Sequence, residues 1–119
     1  NEKITVEKIN HIAQKIGIDD FGTKFTNGFL TKIQDGNSQL SYSNKKIILL
    51  LKALATDNKI IILEDPYDGL SKEIKEKMIA FLQELAKEKT IIVVTQDDEF
   101  IQKAHQHFHM INGQLETKK

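Results

Sequence analysis

Hydrophobic positions change their period several times along this 119-residue chain, and each change marks an element. Val6, Ile9, Ile12, Ala13 and Ile16 recur at three- and four-residue spacing and share one face of a helix. Thr5 stands where an N-cap is needed and Gly17 where a stop is needed. Residues 18–39 (IDDFGTKFTNGFLTKIQDGNSQ) carry Gly, Asn and Asp at short intervals and read as turns. A second helix is predicted over 41–56. Its stretch KKIILLLKALA is apolar nearly all round, which implies burial on more than one side. Residues 59–63 (KIIIL) form a short β-branched run closed by Glu64, Asp65 and Pro66, and read as a strand buried on both faces. A third helix follows from about Lys72 with Ser71 as its N-cap, and Ile74, Met78, Phe81, Leu82 and Leu85 keep helical period. Residues 90–95 (TIIVVT) repeat the buried-strand pattern. A short helix near 98–105 leads into HFHMINGQLE, where Asn112-Gly113 suits a hairpin turn.

Strand, helix and strand in that order make a right-handed βαβ unit. Both strands end in polar residues, Glu64 and Asp65 after the first, Gln96 and Asp97 after the second. Open α/β sheets bind ligands at the carboxyl ends of their strands, so chemistry is expected there.

Composition narrows the function classes. Seventeen acidic residues balance seventeen basic ones, so net charge gives no reason to expect nucleic acid as a partner. Every basic residue is lysine, which excludes an arginine finger from this chain. Without cysteine there is no disulfide and no thiol chemistry. The longest apolar run, 47–51, is far short of the roughly 20 residues of a membrane helix. Nothing at Asn1 reads as a signal peptide, so the expected compartment is the cytosol, beside a membrane only through a partner.

Six stretches, taken in order, resemble the ABC ATPase family. Leu40-Ser41-Tyr42-Ser43-Asn44 occupies the place of the signature LSGGQ, and Lys52-Ala53-Leu54 that of ARAL on its helix. KIIILEDP (59–66) resembles the Walker B run, Asp68-Gly69-Leu70-Ser71 the D-loop, and TIIVVTQD (90–97) the switch strand. HMINGQLE resembles the closing hairpin, and the segment upstream of Leu40 resembles the helical subdomain of exporter-type members. The resemblance implies an α/β, P-loop NTPase-like partial domain. It would have a parallel βαβ core, part of the helical subdomain and a C-terminal β-hairpin. Residues 1–58 would be the helical subdomain portion with the signature-like helix, and 59–119 the α/β core portion.

The family sandwiches ATP and Mg2+ between two domains arranged head to tail. Carried over by position, Glu64 would serve the magnesium shell, Asp65 the attacking water and Gln96 the γ-phosphate. Ser41, Tyr42, Ser43 and Asn44 would touch nucleotide across the dimer, with Asp68 and Ser71 in the D-loop. The chain departs from the pattern at several of these places. Its Walker B acids are inverted, Tyr42 and Ser43 stand where the family has glycines, Gln96 replaces a histidine, and Ser71 replaces an aspartate. Glutamine can hydrogen-bond a phosphate but cannot take up a proton near neutral pH. No GxxxxGK[ST] loop occurs, and the glutamine loop is missing too. The expectation is therefore the C-terminal part of a transporter ATPase domain. Such a part would be inactive alone and prone to self-association. In the intact protein it would power export at the inner face of the membrane, with a transmembrane permease domain as partner.

Two other readings compete. One is a docking module of the same fold that no longer hydrolyses ATP. The other is a metal site at His105, His107 and His109, whose alternation puts all three on one face if the segment is extended. A receiver-type signalling domain fits less well, for want of a lysine at a later strand end.

Overall fold

A computed structural model describes residues 6–18 and 42–118. The Thr5 cap, the turn-rich segment from 19 onward and Ser41 lie outside the described residues, as do the side chains of Tyr42, Ser43 and Asn44.

Helix α1 spans Val6–Ile16. Its end is closed twice: the Gly17 N–H donates to the Gln14 carbonyl at 3.3 Å and the Ile18 N–H to the Ala13 carbonyl at 2.8 Å. That pairing is a Schellman closure, and it tucks Ile18 into the core beside Ala13. Helix α2 spans Tyr42–Ala55 and buries Leu50, Leu51, Leu54 and Ala55, with Ile47, Ile48 and Ala53 half-buried. The expected burial on several sides holds except at Leu49, which faces solvent.

Strand β1 (Ile60–Glu64) pairs in parallel with β2 (Thr90–Val94), and helix α3 (Lys72–Leu85) connects them. The register runs from Ile60 opposite Thr90 to Glu64 opposite Val94. Helix α4 (Asp98–Lys103) leads to an antiparallel hairpin of β3 (His107–Ile111) and β4 (Gln114–Lys118). Asn112 and Gly113 take φ of 50° and 77° at its tip, as a two-residue type I′ turn requires.

The core is assembled from the four helices and β1. Ile12, Ala13 and Ile16 of α1 meet Leu51 and Leu54 of α2, Met78, Ile79 and Leu82 of α3, and Ile61 and Leu63 of β1, with Phe100 of α4 joining them. The sequence pattern is corrected at the two strands, which are not buried on both faces. Successive strand side chains point to opposite sides. Ile61 and Leu63 enter the core, while Ile60, Ile62, Ile92 and Val94 line an exposed apolar face. Burial on both faces needs a layer on each side of the sheet. Among the described residues, the helices supply that layer on one side only, against Ile61 and Leu63 with Ile91 and Val93 half-buried beside them.

Candidate functional site

The parallel register brings the carboxyl ends of β1 and β2 side by side, and the ladder continues one residue further. The Asp65 N–H donates to the Val94 carbonyl at 2.9 Å. Asp65 is therefore level with Thr95, on strands about 4.8 Å apart, and Gln96 lies one residue beyond. Glu64, Asp65 and Gln96, expected to act together, are brought to one edge of the sheet. Glu64 and Gln96 are exposed there and Asp65 is half-buried.

Asp65 has a φ of 42°, in the left-handed region that non-glycine residues enter at a cost of about 1–3 kcal/mol. Two backbone bonds hold it: its own N–H to Val94, and its carbonyl accepting from the Asp68 N–H at 3.1 Å. The second bond closes a β-turn over residues 65–68 with Pro66 at its favoured second position. A further turn follows, in which the Leu70 N–H donates to the Tyr67 carbonyl at 2.9 Å and Gly69 takes a φ of 81° that a Cβ would oppose. The Ser71 hydroxyl then accepts from the Ile74 N–H at 3.3 Å and caps α3, as the sequence suggested. Asp68, at the turn, is ion-paired with Lys46 Nζ at 3.0 Å, and the same ammonium reaches the Asp65 carbonyl at 3.5 Å. Because Lys46 belongs to α2, this turn is tied to the helix that opens with Tyr42, Ser43 and Asn44.

A second cluster stands after β2. The Asp97 N–H donates to the Thr95 hydroxyl at 2.9 Å. Asp97 Oδ1 accepts from the N–H groups of Glu99 and Phe100 at 3.0 and 3.3 Å, which caps α4. Asp97 Oδ2 accepts from Lys75 Nζ at 2.9 Å, and Lys75 also meets Glu99 Oε1 at 3.2 Å. Lys75 and Asp97 are only 17% and 15% exposed, so this pair is screened far less than the others. The hydrogen bond from Lys75, helped by the two backbone N–H groups, holds the Asp97 carboxyl below the usual carboxylate range against the opposing effect of burial. The same bond raises Lys75 above the ordinary lysine value. Tyr67 lies beneath, its ring 5.8 Å from the Lys75 ammonium and 5.6 Å from the Phe100 ring, and its hydroxyl 3.5 Å from Asp65 Oδ1.

Sequence reasoning did not single out Lys46, Tyr67, Lys75 or the capping role of Asp97. A local signal existed for Asp97, an aspartate directly before acids in a first helical turn. None existed for Lys75, whose partner lies 22 residues away. The histidine reading fares differently. His107 and His109 stack with centroids 6.4 Å apart on β3, but His105 precedes the strand. Among the described residues no group of three His, Cys, Asp or Glu side chains could hold a metal ion. What the sheet edge can offer is one or two carboxylates to a hydrated divalent cation whose other ligands come from elsewhere. Among the described residues no helix is long and apolar enough to cross a membrane.

The described residues form an α/β fold in which a two-stranded parallel sheet, joined by a helix, is followed by an antiparallel hairpin. Known proteins agree. The chain is 29% identical over 117 residues to ATP-binding cassette sub-family B member 5 of Homo sapiens, covering 98% of this chain and 9% of that protein. It is 29% identical over 115 residues to the ATP-dependent lipid A-core flippase of Pectobacterium atrosepticum, covering 97% and 20%. It is 29% identical over 112 residues to the thiamine import ATP-binding protein ThiQ of Haemophilus influenzae, covering 92% and 47%. Among solved structures, a bacterial Atm1-family ABC exporter with ATP bound shares the fold with a TM-score of 0.76 at 15% identity, covering 95% of this chain and 20% of that one. No family model matches the chain. The resemblance to ABC transporter ATP-binding proteins thus extends over nearly the whole chain, which spans less than half the length of each of these relatives.

Proposed function

We propose that this chain is the C-terminal part of an ABC transporter ATP-binding domain, which couples ATP binding and hydrolysis to transport, most plainly export, in a longer protein. One observation carries the reading: the six family-like stretches follow in order, and the residues matched to the catalytic positions, Glu64, Asp65 and Gln96, share the carboxyl edge of β1 and β2.

In this reading Glu64 would help hold Mg2+, an ion that takes only one or two protein carboxylates. Asp65 orients the attacking water, and Gln96 donates to the γ-phosphate. Bound Mg2+ neutralises phosphate charge. Asp65 is one methylene shorter than the glutamate usual at its position, and a misplacement of about 1 Å costs on the order of a hundredfold in rate. Ser41, Tyr42, Ser43 and Asn44 contact nucleotide held by a second, head-to-tail domain, and Asp68 and Ser71 of the D-loop-like turn contribute to nucleotide binding as well. A phosphate cradle, absent from these 119 residues, belongs to the longer protein. So does the transmembrane permease domain that would keep this part at the cytoplasmic face.

The apolar face of Ile60, Ile62, Ile92 and Val94 supports the same reading, as the side on which the remainder of such a domain packs. In the chain taken alone a second copy takes that place. The altered residues at Tyr42, Ser43, Ser71 and Gln96 favour the second reading, a docking domain of this fold without hydrolysis.

Calorimetry with ATP and Mg2+ on this chain and on a form extended upstream through a phosphate-binding loop tests the proposal. Binding by the extended form alone is the expected result, and Asp65→Asn should then abolish turnover while leaving binding intact. Binding by neither form would overturn it and leave the docking reading.

A further inference from the structure

The two clusters at the sheet edge are joined by side chains that the mechanism above does not use. Lys75, from the second turn of α3, projects across to the loop after β2. There it holds Asp97 at 2.9 Å and Glu99 at 3.2 Å while lying over the Tyr67 ring. Tyr67 in turn stands between this cation and Asp65, with its hydroxyl 3.5 Å from Asp65 Oδ1 and its ring against Phe100. Asp97 is fixed from four directions, by Lys75, by the Glu99 and Phe100 N–H groups, and by its own N–H on the Thr95 hydroxyl. Gln96 is the residue spanned by the bond from the Asp97 N–H to the Thr95 hydroxyl.

We propose that Lys75 and Tyr67 are positioning residues, a bracket between α3 and the loop after β2 that sets where Gln96 stands relative to Asp65. The proposal rests on the reading of Asp65 and Gln96 as the working pair. An exposed glutamine has several rotatable bonds, and only its backbone can be held by the fold. With Val94 held in the ladder by the Asp65 N–H and Asp97 anchored beyond it, that backbone has little freedom left. The anchor on the Asp97 side is electrostatic, so it is strongest where both partners are shielded from water, as they are here. A bracket of this kind also links the turn after β1 to the loop after β2 without passing through the strands. The groups facing Asp97 are Lys75 from α3, Glu99 and the helix N–H groups from α4, and Thr95 from the strand end.

The test is two-dimensional NMR on this chain, which needs no nucleotide. In the wild type the Asp97 carboxyl should titrate below its ordinary value, held down by the Lys75 hydrogen bond, and the Gln96 amide signals should follow the same midpoint. In Lys75→Met the Asp97 midpoint should move up toward the ordinary carboxylate value, and the Gln96 and Asp65 signals should shift with it. Lys75→Arg should restore both, and Tyr67→Phe should shift Asp65 while leaving the Asp97 midpoint in place. Gln96 signals indifferent to the Asp97 titration would overturn the proposal from the wild type alone, even if a variant failed to fold. Unchanged Gln96 signals in a folded Lys75→Met would overturn it as well. Failure of the extended form to bind ATP would sink the catalytic reading of the pair but would leave these shifts as they are, so the two failures are distinguishable.

Discussion

Replacing Ile61 and Ile62 one at a time by alanine separates the two faces of β1. The residues are neighbours in sequence, identical in chemistry and equal in β propensity, so backbone effects cancel between the variants. They differ in surroundings: Ile61 is 4% exposed and Ile62 is 66% exposed. Shortening isoleucine to alanine removes three carbons, worth about 2.4 kcal/mol of transfer free energy when fully buried at roughly 0.8 kcal/mol per group. A core site adds the cavity left behind, which places Ile61→Ala in the range of about 2–5 kcal/mol. Ile62 has about a third of its surface covered, so Ile62→Ala loses about 0.8 kcal/mol, with no cavity because water fills the space.

Urea unfolding followed by circular dichroism at 222 nm gives both numbers, provided protein concentration is kept low and constant. The expected result is a loss for Ile61→Ala at least about twice that for Ile62→Ala, with equal m-values. Losses above about 2 kcal/mol at both positions would refute the one-sided sheet. So would a larger loss at Ile62 that persists on dilution.

Other outcomes follow from the same geometry. Sedimentation of this chain should show association that grows with concentration, and Ile62→Lys together with Ile92→Lys should abolish it by charging the exposed face; unchanged association would place the interface elsewhere. Ser71→Ala should cost about 1 kcal/mol through loss of the α3 cap, read by thermal or urea unfolding, and Ser71→Asp should recover it. The Lys75–Asp97 pair predicts a plateau in stability against pH. Asp97 is depressed below its ordinary 3.8, so its contribution is complete above that value and is lost as pH falls through the lower folded-state value. Lys75 is raised above its ordinary 10.5, so its contribution is complete below that value and is lost as pH rises through the higher folded-state value. Asp97→Asn, which keeps the cap but not the charge, should flatten both limbs; a wild-type pH profile retained in that variant would remove the pair from the account.

How much of this was legible in the chain depends on the range of the interaction concerned. Helix α3 was readable because its signals are local: a serine at the cap, apolar residues at three and four, and a defined start. The hairpin was readable from Asn112-Gly113 alone, since few other pairs accept two positive φ angles in succession. The site edge was readable because strand ends and polar residues coincide at 64–65 and 96–97. The strands themselves were misread on one side, for a physical reason. An unbroken run such as IIIL says only that neither face carries a polar group. It does not say which face finds a partner, because the partner is another layer and not a neighbour in sequence. Lys75 shows the same limit from the polar side. On α3 it is one lysine among several on a helix rich in charge, and what distinguishes it is an aspartate brought near by the parallel register of β1 and β2. The same register that sets Asp65 beside Thr95 also brings Asp97 within reach of α3. One topological fact therefore places both the residues expected to act and the residues that hold them.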